Sequence, residues 1–204
     1  MQKLHKQNEI LFITTNINKY QEASKILGKH GIKIEKNDFN KIEIQNDNIE
    51  KIAVIAAKNA FSNLKTELIV EDSGLFIEEL NGFPGPYSSY AYKTIGIKGI
   101  IRILSKSKSR NAEFKSVLAH VNMNGNMKKF IGITKGIIAK SPKGNNGFAF
   151  DCIFIPDNSK KTYGEMSINE KKLRLRNEYT SNTNKFQRFH QVQFQSMSDG
   201  ENRT

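Results

Sequence analysis

The stretch from Asn48 to Val70 restricts the possible folds of this chain more than any other. Ile49, Ile52, Ala53, Ala56, Ala57, Ala60 and Leu64 recur at helical spacing, so Asn48 to Leu64 is predicted as a helix with one broad apolar face. Leu68-Ile69-Val70 follows almost at once and reads as a buried strand. Upstream, Glu9 to Thr14 reads as a short strand. A helix from about residue 17 to 29 follows, with Ala23, Ile26 and Leu27 at helical spacing. After Gly31, Ile32-Lys33-Ile34 alternates as a second strand. The order strand–helix–strand–helix–strand favours an α/β domain with parallel pairing near the N-terminus.

Tyr87 to Ser105 holds helical material interrupted at Gly96 and Gly99. Ala112 to Asn122 and Lys128 to Ala139, separated by Asn124-Gly125-Asn126, read as a long hairpin. The sheet is therefore expected to be mixed, with the hairpin in a second lobe and a ligand cleft between the lobes.

The strand at Leu68-Ile69-Val70 delivers two adjacent carboxylates, Glu71 and Asp72, followed by Ser73-Gly74. Neighbouring side chains on a strand point to opposite faces, so Gly74 is expected to turn the chain. Asn81-Gly82 and Pro84-Gly85-Pro86 mark further turns. Adjacent acids at a strand end cost desolvation unless a cation or hydrogen bonds compensate them. Alone, the pair fits a metal site and a solvated surface turn equally well. The loop Thr14-Thr15-Asn16-Ile17-Asn18-Lys19 lies between a strand and a helix, where backbone N–H groups face an anion; ordinary helix capping by Asn explains it as well. Lys58 borders the apolar face of the second helix, where a lysine commonly reaches solvent.

Other chemistries find little support. The histidines at 5, 30, 120 and 190 are scattered, the single cysteine is Cys152, and there is no Gly-x-Ser-x-Gly or Walker sequence. No apolar run approaches the ~20 residues of a membrane span. The first nine residues lack the apolar stretch of a signal peptide, and a cytoplasmic location is expected. A formal charge of +12 raises nucleic acid as a partner. The lysines are dispersed without interleaved aromatic residues, which disfavours it.

Residues 70–88 resemble the signature of the inosine triphosphate pyrophosphatase family. Four other stretches agree, in order. Thr14 to Lys19 resembles the family's Thr-Gly-Asn-x-x-Lys loop, with Thr15 where glycine is usual. Ile42-Glu43-Ile44-Gln45 resembles its short acidic stretch, and Gly147-Phe148-Ala149-Phe150-Asp151 its Gly-Phe-x-Tyr/Phe-Asp loop. Glu165-Met166 through Glu170-Lys171 resembles the start of its last motif. The resemblance spans roughly residues 9–172.

It implies an elongated mixed sheet flanked by helices, with two lobes and a substrate cleft between them. It also implies Mg2+-dependent hydrolysis of non-standard purine nucleoside triphosphates (ITP, dITP, XTP) to the monophosphate and pyrophosphate, by a homodimer. Asp72 would be the central acid, binding the ion or activating water, with Glu43 helping to hold the ion and Glu71 orienting water or a second ligand. Thr14 to Lys19, Lys58 and Ser73 would serve the polyphosphate end, and Phe148, Ala149, Phe150, Asp151, Lys171 and Arg176 the base end. The family's closing Ser-His-Arg triplet does not occur; Leu175-Arg176-Asn177 stands in its place.

The expected organisation is a flexible start (1–8), one catalytic domain (9–176) and a disordered tail (177–204), the last rich in Asn, Gln, Ser and Thr. A basic nucleic-acid-binding module on an inactive nucleotidase fold is the alternative.

Overall fold

The computed structural model describes residues 9–29, 31–167 and 170. The expected flexible start and disordered tail, with Lys171 and Arg176, lie outside them. The elements follow the sequence reading closely: β1 (Glu9–Ile13), α1 (Ile17–Gly28), β2 (Lys33–Asn37), α2 (Ile49–Leu64), β3 (Leu68–Ile77), β4 (Pro84–Gly85), α3 (Ser88–Thr94), α4 (Gly96–Ile103), β5 (Asn111–Val121), β6 (Met127–Ile138) and β7 (Phe154–Pro156). Gly96 opens α4, which then runs through Gly99. The sheet has seven strands among the described residues, in the order β2-β1-β3-β5-β6-β7, with β4 beside β3. β1 pairs in parallel with β2 and β3, and the pairs from β3 onward are antiparallel.

Strand alternation divides the core. Leu11, Ile13, Leu68 and Val70 meet the face of α2 built from Ile49, Ala53, Ala56, Ala57 and Ala60. Ile10, Phe12 and Ile69 point the other way, onto Leu27 of α1. The alanines let the α2 backbone lie close to the sheet, and each buried leucine or isoleucine stabilises the fold by roughly 1.5–3 kcal/mol. Asn48 caps α2, its side chain accepting the N–H groups of Glu50 and Lys51, a contribution of about 1 kcal/mol. Beyond β3, a third cluster joins Leu75, Ile77, Ile100, Leu104, Phe150, Phe154 and Tyr163. The Arg110 guanidinium ties this lobe together by donating to the carbonyls of Leu104, Ile138 and Ala139.

At Gly74 the structure departs from expectation. The chain does not turn there; β3 continues through the acids to Ile77. Glycine is needed for a different reason: a Cβ at residue 74 would stand 2.2 Å from the Gly85 carbonyl oxygen of β4. Gly74→Ala is therefore expected to cost about 3 kcal/mol, the upper range of overpacking. Urea denaturation would measure it; an unchanged midpoint would show that β4 yields.

Candidate active site

Two adjacent acids on an unbroken strand should face opposite sides of the sheet, yet Glu71 and Asp72 both line one cleft of about 1830 Å³. The pairing of β3 explains how. β1 ends at Ile13, opposite Val70, and β4 joins only at Leu75. Between those points Glu71, Asp72, Ser73 and Gly74 are paired with β5 on one side. On the other, among the described residues, they meet no strand. The cleft enters the sheet through this gap, so side chains from both faces reach it.

Each group there has a defined setting. The Glu71 carboxylate, 6% exposed, lies 2.7 Å from the Lys19 ammonium through Oε2 and accepts the Ser116 hydroxyl at 2.7 Å through Oε1. Asp72 Oδ1 accepts the Ser73 N–H at 2.9 Å. Burial raises the Asp72 carboxyl to about 6, and Glu71 adds to the rise. Lys19, Lys41 and the Ser73 N–H offset part of it. Burial also opposes the charge on Lys19, but the Glu71 and Asp72 carboxylates, the hydrogen bond it donates to Glu71 and, least, Glu43 together raise its pKa above the ordinary lysine value.

Glu43 belongs to the segment between β2 and α2, which is fastened to α2 by the Ile42 N–H donating to Asn59 Oδ1. Its carboxylate is 72% exposed and pairs with Lys41 at 2.7 Å. Both line the same cleft. Five lysines and five carboxylates line the cleft, Lys19 and Lys41 among the first and Glu43, Glu71 and Asp72 among the second, so the lining offers a polyphosphate no net positive charge without an accompanying cation.

The loop after β1 serves the cleft through side chains more than through its helix N-terminus. Asn16 Oδ1 accepts the N–H groups of Asn18 and Lys19, and Thr14 Oγ1 accepts that of Asn16, so those donors are committed to the cap. Thr14, Thr15, Asn16, Asn18 and Lys19 line the cleft; Ile17 does not, and is half-exposed. Lys58 is exposed on α2 and stands outside the lining. α2 turns its alanines to the sheet, and Lys58 follows the opposite, wet side of the helix.

At the far end, Gly147, Phe148, Ala149, Phe150 and Asp151 all line the cleft. Phe148 is 44% exposed and offers a ring for stacking. Phe150 is buried and meets Tyr92 edge-on at 5.5 Å, forming the floor. Asp151 Oδ2 accepts the Phe148 N–H at 3.1 Å. Gly144 approaches the protein itself: a Cβ there would stand 2.0 Å from the Gly164 carbonyl oxygen.

Lys41, Ser116 and Tyr92 were not anticipated from the sequence. Lys41 was legible in principle, since residues two apart in an extended segment share a side and Glu43 was already marked. Ser116 has no local signal, because only the β3–β5 register brings it to Glu71.

The donor chemistry fits Mg2+. Among the described residues, no three His, Cys, Asp or Glu side chains form a ready-made cage. Mg2+ commonly takes only one or two carboxylates and completes its shell with water and phosphate oxygens. Asp72 has one oxygen uncommitted among the described residues, and Glu43 stands exposed in the same cleft.

A sheet whose parallel strands end in a crevice lined by an ammonium-bearing loop and clustered acids is an α/β protein equipped to hold a polyanion. Comparison with known proteins narrows the class. The profile of the Ham1 family matches residues 10–176. The chain is 45% identical over 163 residues to the dITP/XTP pyrophosphatase of Methanopyrus kandleri, covering 80% of this chain and 87% of that one. It is 42% identical over 177 residues to the enzyme of the same name from Saccharolobus solfataricus, covering 87% and 89%. Among solved structures it superimposes on the Staphylococcus aureus Ham1 protein with a TM-score of 0.77 and 27% identity, over 91% of this chain and 99% of that one. The Nucleoside-triphosphatase / dITP/XTP pyrophosphatase of Mycobacterium abscessus gives 0.68 and 28%, over 81% and 92%. The chain belongs to the Ham1 family, which bears out the resemblance and the mixed α/β architecture expected from the sequence.

Proposed function

We propose that this protein hydrolyses non-standard purine nucleoside triphosphates, among them dITP, ITP and XTP, to the nucleoside monophosphate and pyrophosphate. The observation that carries this is the 2.7 Å meeting of Lys19, from the first loop, with Glu71, from the third strand, in a cleft that also holds Asp72, Glu43 and Phe148. The names of the relatives supply the substrate class.

In the proposed reaction, water attacks the α-phosphorus, the bond to the α–β bridging oxygen breaks, and pyrophosphate leaves. Lys19 grips the phosphates and offsets their charge, with Lys41 as a second ammonium in the same cleft. Asp72 and Glu43 would hold Mg2+, which would supply positive charge to the phosphate oxygens. In the metal-free protein the Asp72 carboxyl sits near 6; a bound Mg2+ would favour its ionised form, the form that can take the proton of the attacking water. Thr15, Asn16, Asn18 and Ser73 line the phosphate end. Phe148 stacks on the purine while Asp151 holds the base loop in shape. A cytoplasmic homodimer belongs to the same proposal; no helix among the described residues is long and apolar enough to cross a membrane.

Incubating the protein with ITP, dITP, XTP and ATP in Mg2+ while measuring pyrophosphate tests the proposal. Deaminated purines are expected to turn over at least about tenfold faster than ATP, the discrimination a single well-placed polar contact supports. Equal rates would remove the substrate claim and keep the chemistry. No release from any nucleotide would remove both.

A further inference from the structure

We infer that Ser116 is a positioning residue: through Glu71 it sets where the Lys19 ammonium stands in the cleft. The inference rests on the proposed role of Lys19 as the phosphate grip.

Glu71 faces one partner with each of its oxygens. Oε2 meets Lys19 and Oε1 accepts the Ser116 hydroxyl, each at 2.7 Å. A buried carboxylate is tolerated only when its lone pairs are met. With one partner on each oxygen, the plane of the carboxylate is fixed as well as its charge. Lysine, by contrast, is a point charge on a flexible stem, so the position of its ammonium is dictated by what it pairs with. The chain of control runs from the Ser116 hydroxyl to Glu71 and from Glu71 to Lys19.

The sheet gives that chain a rigid origin. Ser116 lies mid-way along β5, directly opposite Ser73 on β3 and Gly132 on β6. Glu71 stands opposite Leu118, so it reaches Ser116 along the diagonal of one face, the second-nearest cross-strand neighbour. Ser116 is thus held by strands on both sides, whereas Lys19 sits in the first turn of α1. The rigid partner orients the flexible one. Gly132, directly opposite on β6, carries no side chain beside residue 116.

Two variants matched to each other in volume test the inference. Ser116→Thr keeps the hydroxyl, and Ser116→Val replaces it with a methyl group of the same shape. Binding of inorganic tripolyphosphate with Mg2+ would be measured by calorimetry on the full chain, beside KM and kcat for ITP. Ser116→Thr is expected to stay within about twofold of the parent. Ser116→Val is expected to weaken tripolyphosphate binding roughly tenfold and raise KM for ITP by a similar factor, the size of a hydrogen bond to a charged group. In a Lys19→Met background, assayed by competition at millimolar tripolyphosphate, the difference between Thr and Val should disappear.

Equal binding by the Thr and Val variants would overturn the inference. So would a tenfold difference that persists without Lys19, since Ser116 would then act on the fold or on another group. Binding that follows the expected pattern in a protein that releases no pyrophosphate would uphold the inference and remove the proposed reaction. Failure of the parent to bind tripolyphosphate would remove both.

Discussion

Asp72→Asn is expected to reduce pyrophosphate release at least about a thousandfold, within the range typical of a lost acid–base group, while making the metal-free protein more stable at pH 8. The two effects have one origin. Burial lifts the Asp72 carboxyl from an ordinary 3.8 to about 6, so the folded chain holds this proton more tightly than the unfolded chain. Stability from this group is therefore greatest below about pH 4 and declines as pH rises through about 6, where the carboxylate ionises at full desolvation cost. Two units correspond to an upper figure of about 3 kcal/mol. Asparagine carries no charge and avoids that cost. Scanning calorimetry in chelator should show the variant melting several degrees higher at pH 8 and level with the parent near pH 3.5. An unchanged melting temperature at pH 8, or the same gain at both pH values, would show that Asp72 is not a strained carboxylate. Full activity would remove it from the chemistry altogether.

Lys19→Met should do the reverse, losing affinity and stability together. The Lys19 side chain is 20% exposed and Glu71 is 6% exposed; breaking such a pair by removing one partner costs about 3–5 kcal/mol, because the remaining charge stays buried. KM for ITP should rise by about a hundredfold with loss of a charge-assisted phosphate contact. The double variant Lys19→Met/Glu71→Gln separates the two consequences. It removes the orphaned charge while keeping an acceptor for Ser116, so most of the stability should return. Activity should not. A double variant as unstable as the single one would mean that Lys19 supports α1 by packing, and recovered activity would mean that the phosphates are held elsewhere.

The elements with the strongest periodicity were legible from the sequence. α2 and β3 emerged from the alanine-rich face and the Leu68-Ile69-Val70 run, because a helix on a sheet imposes a regular burial pattern on both partners. The acids were legible as residues, but their setting was not. Gly74 suggested a turn, since glycine is the ordinary turn residue, whereas here it admits the backbone of a neighbouring strand. Asn16 to Lys19 read as a helix N-terminus open to an anion, though the Asn16 cap occupies its first donors. Lys58 illustrates a further limit: its place after an alanine-rich face fits the family pattern, but a helix fixes only which residues share a side, and this one lies outside the cleft. Ser116 depends on cross-strand register, which no local pattern encodes.

The four-residue interruption beside β3 has a mechanical consequence. The acids sit on a beam clamped at both ends, by β1 up to Val70 and by β4 from Leu75, and braced along its length by β5. Such a span does not bend to follow a ligand. The residue 14–19 and 146–151 segments, which line the cleft without belonging to the sheet, therefore face a pair of carboxylates held in place from beneath.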